Sequence, residues 1–167
     1  LNSFSFYAQE TKLTIDTFCS YNPGNLCGSK FELNFYELAD SLWIKKVSYE
    51  VFKDLGINRK VFIGRFHDKS ISGIFFKLKE DNTARVLISQ KYIEQPWIAL
   101  GILFHELGHY INDHENFCSN RELELDADYY AGYCLSRAGA SKAQALESLS
   151  ILPEEGDETH PPKKERE

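Results

Sequence analysis

The chain has 167 residues and a formal charge of −6 at pH 7, the size of one domain, long enough to bury roughly two thirds of the surface its unfolded form exposes. Hydrophobic residues at 43% and aromatics at 14% exclude a disordered chain, and the acidic balance argues against a nucleic-acid partner or an anionic membrane surface. No apolar run reaches the roughly 18 to 20 residues that span a bilayer; the longest, from Trp97, stops at His105 and Glu106.

The chain contains no methionine and begins at Leu1. We therefore expect that something preceded Leu1, a signal peptide being one candidate; with it the protein is expected to be exported, periplasmic or secreted, and without it cytoplasmic. Four cysteines, Cys19, Cys27, Cys118 and Cys134, allow three pairings if oxidised. The Asn22-Pro23-Gly24-Asn25 turn favours Cys19 with Cys27, while free buried thiols are equally ordinary. No two cysteines have the spacing of a zinc thiolate site.

Residues 1–33 read as an N-terminal extension to which no chemistry attaches; only Lys12 to Phe18, with alternating Leu13 and Ile15, suggests a strand. Residues 34–167 read as one compact domain. Asn34 with Glu37 fits a helix cap, and Phe35, Leu38, Leu42, Val47 and Phe52 recur at helical spacing until Gly56, so a packing helix is predicted there. Three β-like stretches follow, Lys60 to Phe66, Ile71 to Lys79 and Ala84 to Gln90, with Asp81-Asn82 as a hairpin turn between the last two; they predict a small, mainly antiparallel sheet. Ile71 to Lys77 is a candidate edge for pairing with an extended peptide, although Ile74, Phe75 and Phe76 suit an inner strand as well. His67 reads as a surface histidine.

The chemistry begins at Pro96. A proline suited to a first helical turn opens a run, Trp97, Ile98, Leu100, Ile102, Leu103 and Leu107, that leaves almost no polar face and so predicts a central, buried helix. Within it stands Phe104-His105-Glu106-Leu107-Gly108-His109. Residues four apart share a helix face, so His105 and His109 can offer two imidazole nitrogens to one metal ion with Glu106 beside it, the constellation of zinc peptidases. The plainer alternative is a core helix whose histidines find hydrogen-bond partners. A third histidine six residues past the second, as one zinc class has it, is excluded by Glu115, and His114 reads as a solvated residue near a helix C-terminus.

A third ligand is expected from a second helix, Arg121 to Ala138, which Ser119 and Glu122 would cap. Glu124, Ala127, Asp128, Ala131 and Leu135 share one face of it. Two carboxylates on a small, apolar stripe each need a cation or a donor: zinc answers Glu124, and an imidazole N–H, that of His105, answers Asp128. A solvated acidic face is the alternative, and it suits Glu122 and Asp126 better.

With His105-Glu106-Leu107-Gly108-His109 and Glu124-Leu125-Asp126-Ala127-Asp128 both in view, the chain resembles the gluzincin zinc metallopeptidases, and in particular the HtpX and CAAX prenyl protease family, peptidase family M forty-eight. Thr159-His160-Pro161-Pro162 followed by Arg166 is similar to a third motif of that family; without the likeness it reads as a rigid proline-rich surface loop. The resemblance implies an α+β, zincin-like domain, with a small sheet packed on an active-site helix and a second ligand-bearing helix. It further implies Zn2+ on His105, His109 and Glu124, a general base at Glu106, a supporting Asp128, and His160 and Arg166 lining the site. His160 is then the expected oxyanion donor, with Arg166 or Tyr129 behind it, and the substrate is a protein or peptide.

The chain departs from the family in lacking transmembrane helices, in reading Ser72-Gly73-Ile74-Phe75 where members carry an Asn-Ala-Phe-Ala-like strand, and in stopping just after Arg166, so that a C-terminal portion is expected to be missing. A regulatory peptidase resembling the ImmA/IrrE group is a second enzymatic reading, against which the Thr-His-Pro-Pro segment weighs. A non-catalytic zinc-binding interaction domain is a third. An intact Glu106 weighs against that one, since a structural site needs no base.

Overall fold

The computed structural model describes residues 11–15, 19–20, 31–40, 42–58, 60–67, 71–77, 83–114, 121–156 and 160–167. Six strands, β1 (Thr11–Ile15), β2 (Cys19–Ser20), β3 (Phe31–Glu37), β4 (Val61–Phe66), β5 (Gly73–Lys77) and β6 (Ala84–Ser89), form one sheet in the order β1-β3-β4-β6-β5-β2. All its pairings are antiparallel except that of β4 with β6. The sheet is therefore mixed, and the architecture is α+β. The segment read as an extension, 1–33, supplies β1, β2 and the start of β3 to it.

The helix expected from Asn34 is shorter than its spacing suggested. Residues 31–37 are a strand, and the helix, α1, runs Trp43–Asp54 before Gly56 ends it with φ +67°. The reason lies in Leu33 and Phe35, both buried while Glu32 and Asn34 are exposed: their alternation satisfies a strand, while Phe35, Leu38 and Leu42 happen also to satisfy a helix. The other three strands fall within the stretches predicted for them. The Asp81-Asn82 turn, the Ser119 cap, Thr159, Cys27 and Cys118 lie outside the described residues. Cys134 is a buried free thiol.

Alternation splits the sheet's side chains between two apolar clusters. Val61, Ile63, Phe75, Val86 and Ile88 face the helices; Leu33, Phe35, Phe66, Ile74, Phe76 and Leu87 gather in the second cluster. Against the first lies α2 (Pro96–Ile111), with proline in its first turn and every residue from Ile98 to Tyr110 buried. A helix enclosed this completely is the hub of the domain: α1, α3 (Arg121–Arg137) and α4 (Lys142–Ser148) all pack on it along with β5 and β6, and a last turn, α5 (Lys163–Arg166), rests on α3. Among the described residues no helix is long and apolar enough to cross a membrane.

β5 is not a bare edge. Two residues of β2 pair with Ile74 and Phe75 on its outer side, so the candidate peptide-pairing strand lies between β6 and β2 over those positions.

Candidate metal centre

The site is made by the crossing of α2 and α3. At the crossing a Cβ on Gly108 would stand 2.9 Å from Ala127 Cα and 3.0 Å from its carbonyl oxygen, closer than carbon atoms rest against one another. Only glycine on α2, facing alanine on α3, lets the two backbones approach this far. Gly108 lies between His105 and His109, and Ala127 lies between Glu124 and Asp128, so the contact point is ringed by the four side chains.

Two imidazoles and a carboxylate converge there, 0% to 1% exposed. His105 Nε2 is 3.1 Å from His109 Nε2 and 3.3 Å from Glu124 Oε2, and His109 Nε2 is 3.4 Å from Glu124 Oε1. Ligands about 2.0–2.1 Å from a tetrahedral ion are about 3.3 Å apart. The imidazole nitrogens lie at about that spacing from each other and from a Glu124 oxygen, Oε2 for His105 and Oε1 for His109, and His105, His109 and Glu124 can hold a metal ion.

The surrounding groups fix which ring nitrogens point inward. Asp128 Oδ1 is 2.8 Å from His105 Nδ1, so Nδ1 carries the proton and donates it, leaving the Nε2 lone pair for a cation. Asp128 is held in turn by Arg166, whose Nε and Nη2 donate to Oδ2 and Oδ1 at 2.5 and 2.9 Å. Arg166 is buried, and its Nη2 also comes within 3.6 Å of Glu124 Oε2. Its planar fork is thus engaged by the carboxylates behind the site.

Charge explains the titration of these groups. Burial opposes a charge on His105, but the Asp128 and Glu124 carboxylates outweigh it and raise its pKa to about 9. Burial dominates at His109 and, with the positive charges of its histidine neighbours, holds it below 6.5 despite Glu124. Burial would raise both carboxyls; His105 and His109 instead keep Glu124 well below the usual range, and His105 with Arg166 lowers Asp128. Glu124 and Asp128 face the Arg166 guanidinium and the protonated His105; a divalent cation on Nε2 of His105 would take the place of that proton.

No family model, curated protein or solved structure matches this chain. What the centre can do is therefore argued from its own groups. Glu106, one residue round the helix from His105, is fully buried. It fits because β5 begins with glycine: a Cβ on Gly73 would stand 3.2 Å from Glu106 Oε1 and 2.3 Å from Ile102 Cγ2. His160 is buried too, its Nε2 3.8 Å from Glu124 Oε2, which brings it to the rim of the cluster. Tyr129 is not brought there. It is 81% exposed, because its place on α3, one residue on from Asp128, turns it towards solvent.

His114 is the residue that sequence reasoning misplaced. It is 5% exposed, not solvated, and its Nδ1 lies 3.0 Å from His109 Nδ1. The usable signal was Asn112-Asp113, a pair suited to a sharp turn that folds the chain back after a helix.

Proposed function

We propose that this protein is a zinc-dependent metalloendopeptidase of the zincin kind, and that its likeness to the HtpX and CAAX prenyl protease family reflects a shared chemistry. The observation that carries the reading is the buried Glu106 carboxylate beside a centre to which, among the described residues, His105, His109 and Glu124 offer ligand atoms. A closed structural site uses four ligands and no base. Two imidazole nitrogens and one carboxylate oxygen suit zinc better than the hard, oxygen-seeking cations.

His105, His109 and Glu124 would hold the cation, which would supply Lewis acidity towards a water and a scissile carbonyl. Glu106 accepts the proton of the attacking water and hands it to the departing amine. His160, at the rim, donates an N–H to the developing oxyanion. Arg166 acts from behind: by gripping Asp128 it steadies the carboxylate that orients His105. The substrate class is protein or peptide.

The test is metal analysis of the purified protein together with a casein or quenched-peptide assay, run with and without chelator and on Glu106→Gln. The variant should keep its zinc and lose hydrolysis by several orders of magnitude. Cleavage by the variant at the parent's rate would end the reading.

A further inference from the structure

We infer that His114 is a positioning residue for the cation centre, accepting the Nδ1–H of His109 and so holding that ligand's ring with Nε2 aimed at the ion; the inference rests on the reading of His105, His109 and Glu124 as a cation site. His114 is not one of the three ligands. It acts through one of them.

Two imidazole nitrogens 3.0 Å apart can form a hydrogen bond only if one bears hydrogen and the other a lone pair. A His109 that offers its Nε2 lone pair to a cation carries its hydrogen on Nδ1, so His109 must donate and His114 Nδ1 must accept. His114 then bears its own hydrogen on Nε2, and the Asp126 carboxylate lies on that side at ion-pair distance, Oδ2 3.4 Å away, and accepts from the Asn112 side-chain amide at 2.8 Å. The same logic operates at His105, where Asp128 takes the Nδ1 proton directly. Thus α3 supplies the acceptor behind both imidazole ligands, by one step to His105 and by two to His109.

The backbone is bent to make this contact. Continued as a regular helix, α2 would carry position 114 about 140° round the axis from position 109, on the far side. Instead α2 ends at Ile111 with Asn112 as its C-cap, and Asp113 adopts φ +57°, a left-handed conformation that L-residues other than glycine enter at a cost, aspartate and asparagine least reluctantly. The chain reverses there and delivers His114 beneath the last turn of α2. A non-glycine residue held at positive φ, immediately before a buried imidazole that meets a ligand imidazole, is a local cost retained for the contact it creates.

The test compares two side chains of similar polarity that place their acceptor differently. In His114→Asn the amide oxygen falls where Nδ1 was, within reach of His109; in His114→Gln it falls where Nε2 was, beyond reach. Zinc affinity is measured by competition with a chromophoric chelator, and the d–d absorption of the cobalt(II)-loaded protein reports ligand geometry. The parent and His114→Asn should agree within a few-fold and share one cobalt spectrum. His114→Gln and His114→Leu should bind zinc about 10- to 100-fold more weakly, with an altered spectrum. Should His114→Leu fail to fold, the Asn and Gln pair still decides. Equal affinities and spectra for Asn and Gln, whether both strong or both weak, overturn the inference while leaving the metal centre standing. A parent that takes up no cation overturns the centre itself.

Discussion

Replacing Gly108 by alanine should damage the stability of the domain and its cation site together, because one close approach serves both. The added Cβ would stand 2.9 and 3.0 Å from the Ala127 backbone and 3.2 Å from Tyr130 Cβ, whereas carbon contacts settle at about 3.5–4.0 Å. Backbone cannot swing aside as a side chain can, so α2 and α3 must part by about 0.5–1 Å. Overpacking of this kind costs roughly 1–3 kcal/mol, partly offset by the ~1 kcal/mol that alanine gains over glycine within a helix. A net loss of up to roughly 2 kcal/mol lowers Tm by up to about 4–8 °C in a domain of this length. The same parting draws Glu124 away from His105 and His109 by more than the ~0.2 Å that metal–ligand distances tolerate, so zinc affinity should fall at least about tenfold. Thermal melts of the chelated protein and a competition titration read the two effects separately. Gly132→Ala on α3 is the control: nothing lies within 4 Å of its would-be Cβ, and it should stabilise by about 0.5–1 kcal/mol without touching the metal. An unchanged Tm and affinity for Gly108→Ala would refute the claim that this crossing sets the ligand spacing.

Titration gives a further expectation. His105 has its pKa raised to about 9 by its carboxylate neighbours while His109 is held below 6.5, so near pH 7.5 the chelated protein carries one proton at the site, and zinc uptake should release about one. Calorimetry in buffers of different ionisation enthalpy counts it, and a count near zero would contradict the assignment. Because the folded pKa of His105 lies above its ordinary 6.5, its contribution to the stability of the chelated protein is full below about pH 6.5 and lost as pH rises through about 9; urea titrations at pH 6.5 and 9.5 check the sign. Arg166→Ala strips a buried carboxylate, Asp128, of its guanidinium and should cost roughly 3 kcal/mol or more in denaturant unfolding. Chelation of the zinc-loaded parent should lower Tm by the stabilisation that binding provides, about 2.7 kcal/mol when free zinc is 100-fold above its Kd, and an unmoved melt would argue that no cation binds the folded state.

The parts of this protein legible in its sequence are those that a helix's own geometry dictates. Once α2 and α3 are helical, His105 with His109, and Glu124 with Asp128, must share a face, and the enclosure of α2 follows from residues too apolar to meet water on any side. Where local pattern satisfied two periods at once, as from Leu33 to Leu42, only the pairing of β3 with β1 and β4 decided for a strand. Contacts between distant segments were beyond any local rule. Arg166 reaches Asp128 across 38 residues, and His114 meets His109 only because Asp113 turns the chain through a conformation that no spacing of residues foretells. Periodicity is a property of neighbours along the chain and can be read there; which faces meet, and what answers a buried charge, is settled by packing in three dimensions.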